Sequence, residues 1–204
     1  GVEPINGGVS LDMRRNFNKV IKFNETDQTI TVQAGMSGPK LEQTLQNAQS
    51  LFGAKRPYTC GHFPQSFEYS SVGGWASTYY GTIADIVVSQ KYATPIGKIE
   101  TSHYPREATG PNLNQVMMGG EGTFGVLTEV TLKFFRWMPE NRKRFSYMFK
   151  DWPTAMRAAR EMMQCECGFS SVFRLSDPEE TSLMLHLYNV DETPLEPLLD
   201  KLGY

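Results

Sequence analysis

The sequence predicts an α+β fold in which an antiparallel sheet with flanking helices is followed by a second module. Apolar and polar side chains alternate almost strictly in several segments, as in strands that bury one face. After Arg144 the predicted order changes to strand, helix, strand, helix. In the last alternating segment, Val126 and Val130 should share one face and Leu127 should lie on the other. The alternating segments are residues 9–13, 20–23, 29–35 and 126–134.

Local signals place the other elements of the first module. Asn24–Gln28 supplies turn residues between the second and third strands. Ser37 is a suitable N-cap and Pro39 falls in the first turn, so a helix should begin here and end near Gln49. Periodicity leaves 71–80 undecided between helix and strand. The remaining predicted elements are a loop at 53–61, a strand within 85–94, a short strand at 99–101 and a helix at 112–118.

The second module begins after a change in composition. Residues 136–144 contain Pro139 and a run of charges, which indicates a domain junction. Beyond it the pattern predicts a helix that begins at Ser176 or Asp177, with Pro178 at its first position. The elements before that helix are a strand at 145–149, a helix at 153–164 and a strand at 171–175.

Composition excludes several classes of function. The chain has 20 Lys+Arg against 22 Asp+Glu, a formal net charge of -2, so no cationic surface is available for nucleic acid. No apolar run approaches the roughly 20 residues of a membrane helix, and no signal peptide is evident. We therefore expect a protein of a soluble interior compartment, with no transmembrane segment and no nucleic-acid partner.

The cysteines indicate neither a disulfide framework nor a metal site. There are three of them, and Cys165 and Cys167 lie too close together for an easy bridge. They lack the CxxC spacing of zinc sites, so we expect reduced thiols and no bound metal. The first residue is Gly1 rather than Met, which suggests a piece of a longer protein.

Two clusters of small residues are candidates for ligand binding. Gly120 to Gly125 spells GxGxxG, but it opens a strand rather than a helix, so a Rossmann site is not expected. It is either a turn whose amides approach a phosphate or flat ring, or a purely structural turn. The segment 61–78 interleaves hydroxyls with aromatics, which suits a groove for an elongated polar ligand. Composition alone favours a simpler interpretation, a serine-rich loop ending at a helix N-cap, Ser71.

Isolated titratable residues do not suggest catalysis. Neither His62 nor His103 has a nucleophile or carboxylate partner at a recognisable spacing. Each is interpreted as a solvent-facing or hydrogen-bonded structural histidine. Arg106 lies in a turn-rich loop where it could pair with an anion, but an exposed arginine needs no such explanation.

Taken together, four motifs resemble one family. They resemble the type 4 FAD-linked oxidases and transferases, flavoproteins of the vanillyl-alcohol oxidase and p-cresol methylhydroxylase (PCMH) type, and within it the alkylglycerone-phosphate synthase branch. The resemblance spans essentially the whole chain. The motifs are Gly61–Trp75, Tyr80–Val88, Pro105–Pro111 and Met118–Glu129.

The resemblance implies FAD as cofactor and two domains. Residues 1–137 would be a PCMH-type FAD-binding domain without its N-terminal part, and residues 138–204 the beginning of the FAD-linked oxidase C-terminal cap domain. Residues that act on substrate would lie beyond Tyr204, so the catalytic residues stay unknown. By position, the implied FAD contacts are Gln65, Ser66, Phe67, Glu68, Tyr69, Ser70, Ser71, Thr78, Glu121, Gly122, Thr123, Phe124, Gly125, Val126 and Leu127.

The sequence departs from the family pattern at three places that affect these implied FAD contacts. Gln65 stands where the family commonly has Asp, so one polar contact changes character. The family carries several further residues between Thr78 and Tyr79. Its pyrophosphate loop precedes the position of Gly1, so that loop is missing from this chain.

The resemblance implies alternative reactions. A synthase-like protein would exchange the acyl chain of an acylated dihydroxyacetone phosphate for a fatty alcohol without net redox change. The alternative is an FAD-dependent dehydrogenase or oxidase of a 2-hydroxy acid such as D-lactate or glycolate, and a further alternative is a degenerate, non-catalytic module. The resemblance implies a small-molecule or lipid-like substrate and a possible homodimer. The expected location is cytoplasmic, or peroxisomal in a eukaryote.

Overall fold

The computed structural model describes residues 6–166 and 173–189, together with residues 197 and 201. The chain divides into two compact units, Gly1–Pro139 and Glu140–Tyr204. The boundary falls within the segment 136–144, where the composition changes. No helix in the described part of the chain is long and apolar enough to cross a bilayer.

The first unit is built on a five-stranded sheet in the order β1-β2-β6-β4-β5. Every neighbouring pair of strands is antiparallel, as the half-buried alternation predicts. A separate two-stranded ribbon joins β3 to β7. The strands are β1 (Val20–Asn24), β2 (Thr29–Gln33), β3 (Tyr58–Thr59), β4 (Val87–Thr94), β5 (Gly97–Glu100), β6 (Val126–Lys133) and β7 (Phe135–Arg136).

Short helices pack on this sheet and complete the core. Leu41 and Leu45 of α1 are fully buried, as are Val72 and Ala76 of α3, while Trp75 of α3 is 1% exposed. These side chains contribute to one continuous apolar cluster with the inward face of the sheet, which includes Ile30, Val32, Val130 and Leu132. The helices are α1 (Gly38–Gln46), α2 (Ala48–Phe52), α3 (Val72–Ser77), α4 (Ile83–Ile86) and α5 (Leu113–Met117).

One prediction about the faces of β6 is wrong. Val130 and Leu132 are buried as expected, but Leu127 is also in the core and Val126 is exposed. The register explains this, because Lys91 pairs with Glu129 while the next residue of β4 pairs with Leu127. The extra residue of β6 forms a bulge, and a bulge reverses which face the following side chains occupy.

Three predicted elements of the first unit differ from those in the structure. The strand at 9–13 does not form, and Val9 and Leu11 are 95% and 63% exposed. The helix predicted at 37–49 breaks at Asn47, where α1 ends and α2 begins. β2 ends at Gln33 because the chain turns off the sheet, with the Met36 N–H donating to the Gln33 carbonyl at 3.0 Å.

The second unit is described mainly by two helices, α6 (Trp152–Gln164) and α7 (Pro178–Leu187). Both were predicted, and Asp177 rather than Ser176 caps α7, accepting from the Glu180 N–H at 2.7 Å. The strand predicted at 145–149 does not form. Residues 173–175, the described part of the strand predicted at 171–175, are not in a strand either. Residues 171 and 172 of that prediction lie outside the described residues.

Candidate functional site

The predicted cofactor-binding residues of the first cluster fold into a compact turn, which we call the serine turn (residues 64–71). The Phe67 N–H donates to the Pro64 carbonyl at 2.9 Å. The Ser66 carbonyl accepts from the N–H groups of Tyr69 and Ser70, at 3.0 Å each, and from the Ser70 hydroxyl at 2.7 Å. The turn is therefore held mainly by its own backbone, and half of its residues, including Gln65, Ser66 and Glu68, are exposed.

The corner between β2 and α1 (residues 34–38) packs against the serine turn and the first residues of α3. The Gly38 N–H donates to the Ser70 carbonyl at 3.3 Å, and the Gly73 N–H donates to the Ala34 carbonyl at 2.7 Å. A Cβ at Gly38 would lie 2.6 Å from the Phe67 carbonyl oxygen, and one at Gly73 would lie 2.7 Å from the Ala34 Cβ. Only glycine permits these approaches, so both positions are required by packing.

Helix α3 begins directly after the serine turn. The Ser71 hydroxyl accepts from the Gly74 N–H at 3.2 Å, so Ser71 is the N-cap that the sequence suggested. The Trp75 indole N–H donates to the Ser70 hydroxyl at 2.7 Å. Because Ser70 in turn donates to the Ser66 carbonyl, a buried aromatic side chain fixes the geometry of the turn.

The C-terminal end of α3 holds the second cluster, the glycine loop (residues 119–125). The Gly119 N–H donates to the Ala76 carbonyl at 2.9 Å, and the Glu121 N–H donates to the Ser77 carbonyl at 3.1 Å. The loop then opens β6 as expected. At Gly125, φ is +128° and a Cβ would lie 2.5 Å from the Ala93 carbonyl oxygen, so glycine is required there too.

The structure brings most of the predicted contact residues to the two ends of one helix. The serine turn lies at the N-terminus of α3, and Thr78 with the glycine loop at its C-terminus. Thr78 donates its hydroxyl back to the Gly74 carbonyl at 2.8 Å. Leu127 is an exception, since its side chain is only 6% exposed within the core. A ligand could reach only the backbone of that residue.

The donors and acceptors of this surface suit an elongated ligand with phosphate and hydroxyl groups. The N–H groups of Gln65, Ser66 and Glu68 have no acceptor among the described residues, and all three residues are exposed. Such turn amides can receive phosphate or carbonyl oxygens. The exposed carboxylates of Glu68 and Glu121 are suited to hydroxyl groups, as carboxylates are to ribose. These residues therefore fit FAD in their chemistry.

His62, at the start of this region, is buried. It is 3% exposed, its Nδ1 lies 3.2 Å from the Thr82 hydroxyl, and its ring meets the Trp75 indole edge-on at 5.0 Å. Burial lowers the pKa of its imidazole. His62 is thus a hydrogen-bonded structural histidine rather than a solvent-facing one.

His103 has partners that the sequence spacing did not reveal. Its Nδ1 lies 3.2 Å from the Ser89 hydroxyl and its Nε2 lies 3.0 Å from a Glu100 carboxylate oxygen. The β4–β5 hairpin brings these residues together. Ser89 is 3% exposed, which closes its hydroxyl to a substrate, and Lys91 also contacts Glu100 at 3.5 Å. We interpret the cluster as structural.

A buried polar network, also missed from the sequence, anchors the loop that contains Arg106. Thr101 donates to the Asn114 side-chain oxygen at 2.6 Å, and the Asn114 amide donates to the Val88 carbonyl at 2.6 Å. The Gln90 amide donates to the Asn114 carbonyl at 3.0 Å. Both ends of the loop are therefore fixed to β4, while Arg106 itself is exposed. Among the described residues, no group of His, Cys, Asp and Glu could hold a metal ion.

Comparison with known proteins defines the class. Residues 2–102 match a family described as an FAD binding domain. Residues 2–102 therefore belong to this FAD-binding family, and the cofactor of the family is FAD.

Its relatives include alkyldihydroxyacetonephosphate synthases. The synthase of Dictyostelium discoideum is 33% identical over 193 residues, which covers 89% of this chain and 30% of the relative. A solved alkyldihydroxyacetonephosphate synthase superposes with a TM-score of 0.65 and 29% identity, over 90% of this chain and 34% of that one. This confirms the resemblance inferred from the motifs.

A different enzyme is a more distant relative. The mitochondrial D-lactate dehydrogenase (cytochrome) 1 of Saccharomyces cerevisiae is 32% identical over 131 residues, 61% of this chain and 21% of the relative. The chain spans about a third of the length of the synthases that it matches. The relatives thus include synthases and oxidoreductases, as expected.

Proposed function

We propose that this chain is the part of a flavoenzyme that holds FAD, in a protein of the alkyldihydroxyacetonephosphate synthase type. The observation that carries this proposal is the similarity to the synthases across 89% of the chain. The arrangement around α3 supports it, because one helix joins the serine turn to the glycine loop.

The residues that would hold FAD are those at the two ends of α3. Gln65–Ser71 would contribute turn amides and hydroxyls, and Thr78 with Glu121–Leu127 would contribute the opposite side. When bound, FAD supplies an isoalloxazine ring that can accept a hydride or act without net redox change. The chain's own residues bind and orient that ring, and the packing of Gly38 and Gly73 keeps the serine turn in place.

We extend the proposal to the domains and partners. Residues 1–137 belong to the PCMH-type FAD-binding domain without its N-terminal part, and residues 138–204 begin the FAD-linked oxidase C-terminal domain, the substrate or cap domain. The substrate is an acylated dihydroxyacetone phosphate that exchanges its acyl chain for a fatty alcohol. A homodimer and a cytoplasmic location, or a peroxisomal one in a eukaryote, complete the proposal.

The experiment begins with the visible spectrum of the intact gene product, mixed anaerobically with a series of 2-hydroxy acids. We expect bound flavin that stays oxidised, and product formation from acyl-dihydroxyacetone phosphate and a fatty alcohol. Flavin that bleaches with D-lactate or glycolate supports the second candidate, a 2-hydroxy-acid dehydrogenase, which the similarity to the yeast enzyme favours. A protein without flavin contradicts both.

A pair of variants tests whether the flavin binds at this surface. Gly125→Ala puts a Cβ 2.5 Å from the Ala93 carbonyl oxygen and should lower the flavin content. Gly97→Ala is the matched control, because that glycine also has a positive φ but no atom within 4 Å of its Cβ position. Equal flavin content in the two variants would contradict the placement.

A further inference from the structure

His62 contacts α3 and the start of α4, and it lies just before the serine turn in the chain. It lies two residues before Pro64, at the start of the serine turn. Its ring packs edge-on against Trp75 of α3, the residue that holds the turn through Ser70. Its Nδ1 lies 3.2 Å from the hydroxyl of Thr82, which is the N-cap of α4. One side chain therefore joins α3 to the start of α4, at the point where the chain enters the serine turn.

The bonding of the ring favours one neutral form. Among the described residues, His62 Nε2 is the buried side-chain nitrogen or oxygen that has no hydrogen-bond partner. A buried N–H without an acceptor costs more than a bare ring nitrogen, so the proton should lie on Nδ1 and be donated to Thr82. In this form the imidazole fits its surroundings without a charge.

Among the described residues, no charged group contributes to the pKa of the His62 ring. Cys60 donates its thiol to the His62 carbonyl at 3.3 Å, and burial raises the pKa of that thiol to about 12, so it stays neutral. The carboxylate of Glu42 is already bound to the Cys60 N–H at 3.0 Å. Trp75 carries no charge, and neither Tyr80 nor Asp85, beyond Thr82, contributes to the shift of the His62 pKa, which burial alone lowers.

We propose that His62 is a positioning residue for FAD: as a neutral imidazole it holds the serine turn against α3, and its protonation releases the turn and with it the cofactor. This inference rests on the proposed function, since it assigns a control of cofactor retention to the same site. Protonation would place a second N–H at Nε2, where no acceptor is present among the described residues. The ring would then have to leave Trp75 to reach water.

The sign of the pH effect follows from the lowered pKa. The ordered turn binds the proton more weakly than the released turn, in which the pKa returns to about 6.5. Acid therefore favours the released turn, and the effect is absent above that value. As pH falls from about 6.5 towards the lowered pKa, the apparent Kd for FAD should rise, by at most about tenfold per pH unit, the limit for one proton.

The experiment measures FAD retained by the purified holoprotein between about pH 5 and pH 8. His62→Phe keeps an aromatic ring against Trp75 but cannot titrate, and the exposed Thr82 hydroxyl can turn to water. We expect this variant to lose the one-proton slope, while its FAD affinity at neutral pH falls by about two- to tenfold for one lost hydrogen bond. His103→Gln, at an exposed histidine, is the matched control and should keep the slope.

The inference is overturned if His62→Phe keeps the wild-type slope. If that variant does not fold, an NMR titration of the wild-type His62 ring decides. We expect a midpoint below 6.5 that coincides with FAD release, and a midpoint at or above 6.5 overturns the inference. A wild-type protein without FAD at neutral pH contradicts the proposed function instead, whereas bound FAD with no pH dependence in this window contradicts the inference alone.

Discussion

Substituting the two adjacent glycines of α3 separately tests the packing that supports the serine turn. Gly73 is buried and its N–H donates to the Ala34 carbonyl at 2.7 Å, whereas Gly74 is exposed. A Cβ at Gly73 would lie 2.7 Å from the Ala34 Cβ and 2.8 Å from its carbonyl oxygen. A Cβ at Gly74 would meet only the Ser71 hydroxyl, at 3.4 Å.

The two substitutions should change the free energy of unfolding in opposite directions. Gly73→Ala forces α3 away from the β2–α1 corner, and such overpacking costs about 1–3 kcal/mol. Gly74→Ala adds no clash and reduces the freedom of the unfolded chain, so it should stabilise the protein by about 0.5–1 kcal/mol. For a domain of this size, each kcal/mol shifts Tm by about 2–4 °C.

The assay is thermal unfolding of the two variants and the wild type without FAD, followed by FAD titration. We expect Tm to fall for Gly73→Ala and to rise by about 1–4 °C for Gly74→Ala. FAD affinity should fall only for Gly73→Ala, because only that variant displaces the corner beneath the serine turn. Equal Tm values for the two variants would refute the packing argument.

Three other residues allow further tests. Ser70→Ala leaves the Trp75 indole N–H without its acceptor and should cost about 1–3 kcal/mol in urea unfolding. Glu42→Gln weakens the hydrogen bond that the Cys60 N–H donates to the Glu42 carboxylate and should cost about 1.5 kcal/mol in the same measurement. Cys60 should resist alkylation at about pH 8, since a pKa of about 12 leaves about one thiolate in ten thousand, whereas the exposed Cys165 should react. Mass spectrometry of the labelled protein reads out both thiols.

The controls for these tests lie close by. Ser66→Ala removes a hydroxyl from the same turn, but Ser66 holds the turn through its carbonyl. The stability of the Ser66→Ala protein should therefore stay near that of the wild type. Glu107→Gln changes an exposed loop carboxylate and should be neutral. A loss for Ser66→Ala as large as that for Ser70→Ala would contradict the role of Trp75. Rapid labelling of Cys60 in the folded protein would contradict its burial.

The strands could be predicted where alternation coincides with a sheet that needs an inward face. β2 and β6 meet that condition, and Ile30, Val32, Val130 and Leu132 are buried as their spacing indicates. Segment 9–13 alternates equally well but pairs with no strand in the described part of the chain, so Val9 and Leu11 stay exposed. Alternation alone does not distinguish these cases, because pairing depends on residues far away in the sequence. The bulge that reverses Leu127 depends on β4 for the same reason.

The candidate site could be predicted only in part. Its glycines and hydroxyls stand out in the sequence because close backbone approach requires small side chains. Their connection through α3 could not be seen, since the bonds from Gly119 to Ala76 and from Glu121 to Ser77 join residues more than 40 positions apart. The burial of His62 was equally hidden, because it depends on Trp75 and Thr82 folding back over it.

The most direct test of the central claim is amide hydrogen exchange of the protein with and without FAD. The claim is that the serine turn and the glycine loop, held at the two ends of α3, form one FAD-binding surface. It predicts slower exchange on FAD binding at residues 65–71 and 121–125, with β1 and β5 at the sheet edges unchanged. Protection confined to one cluster, or to residues outside both, would contradict it.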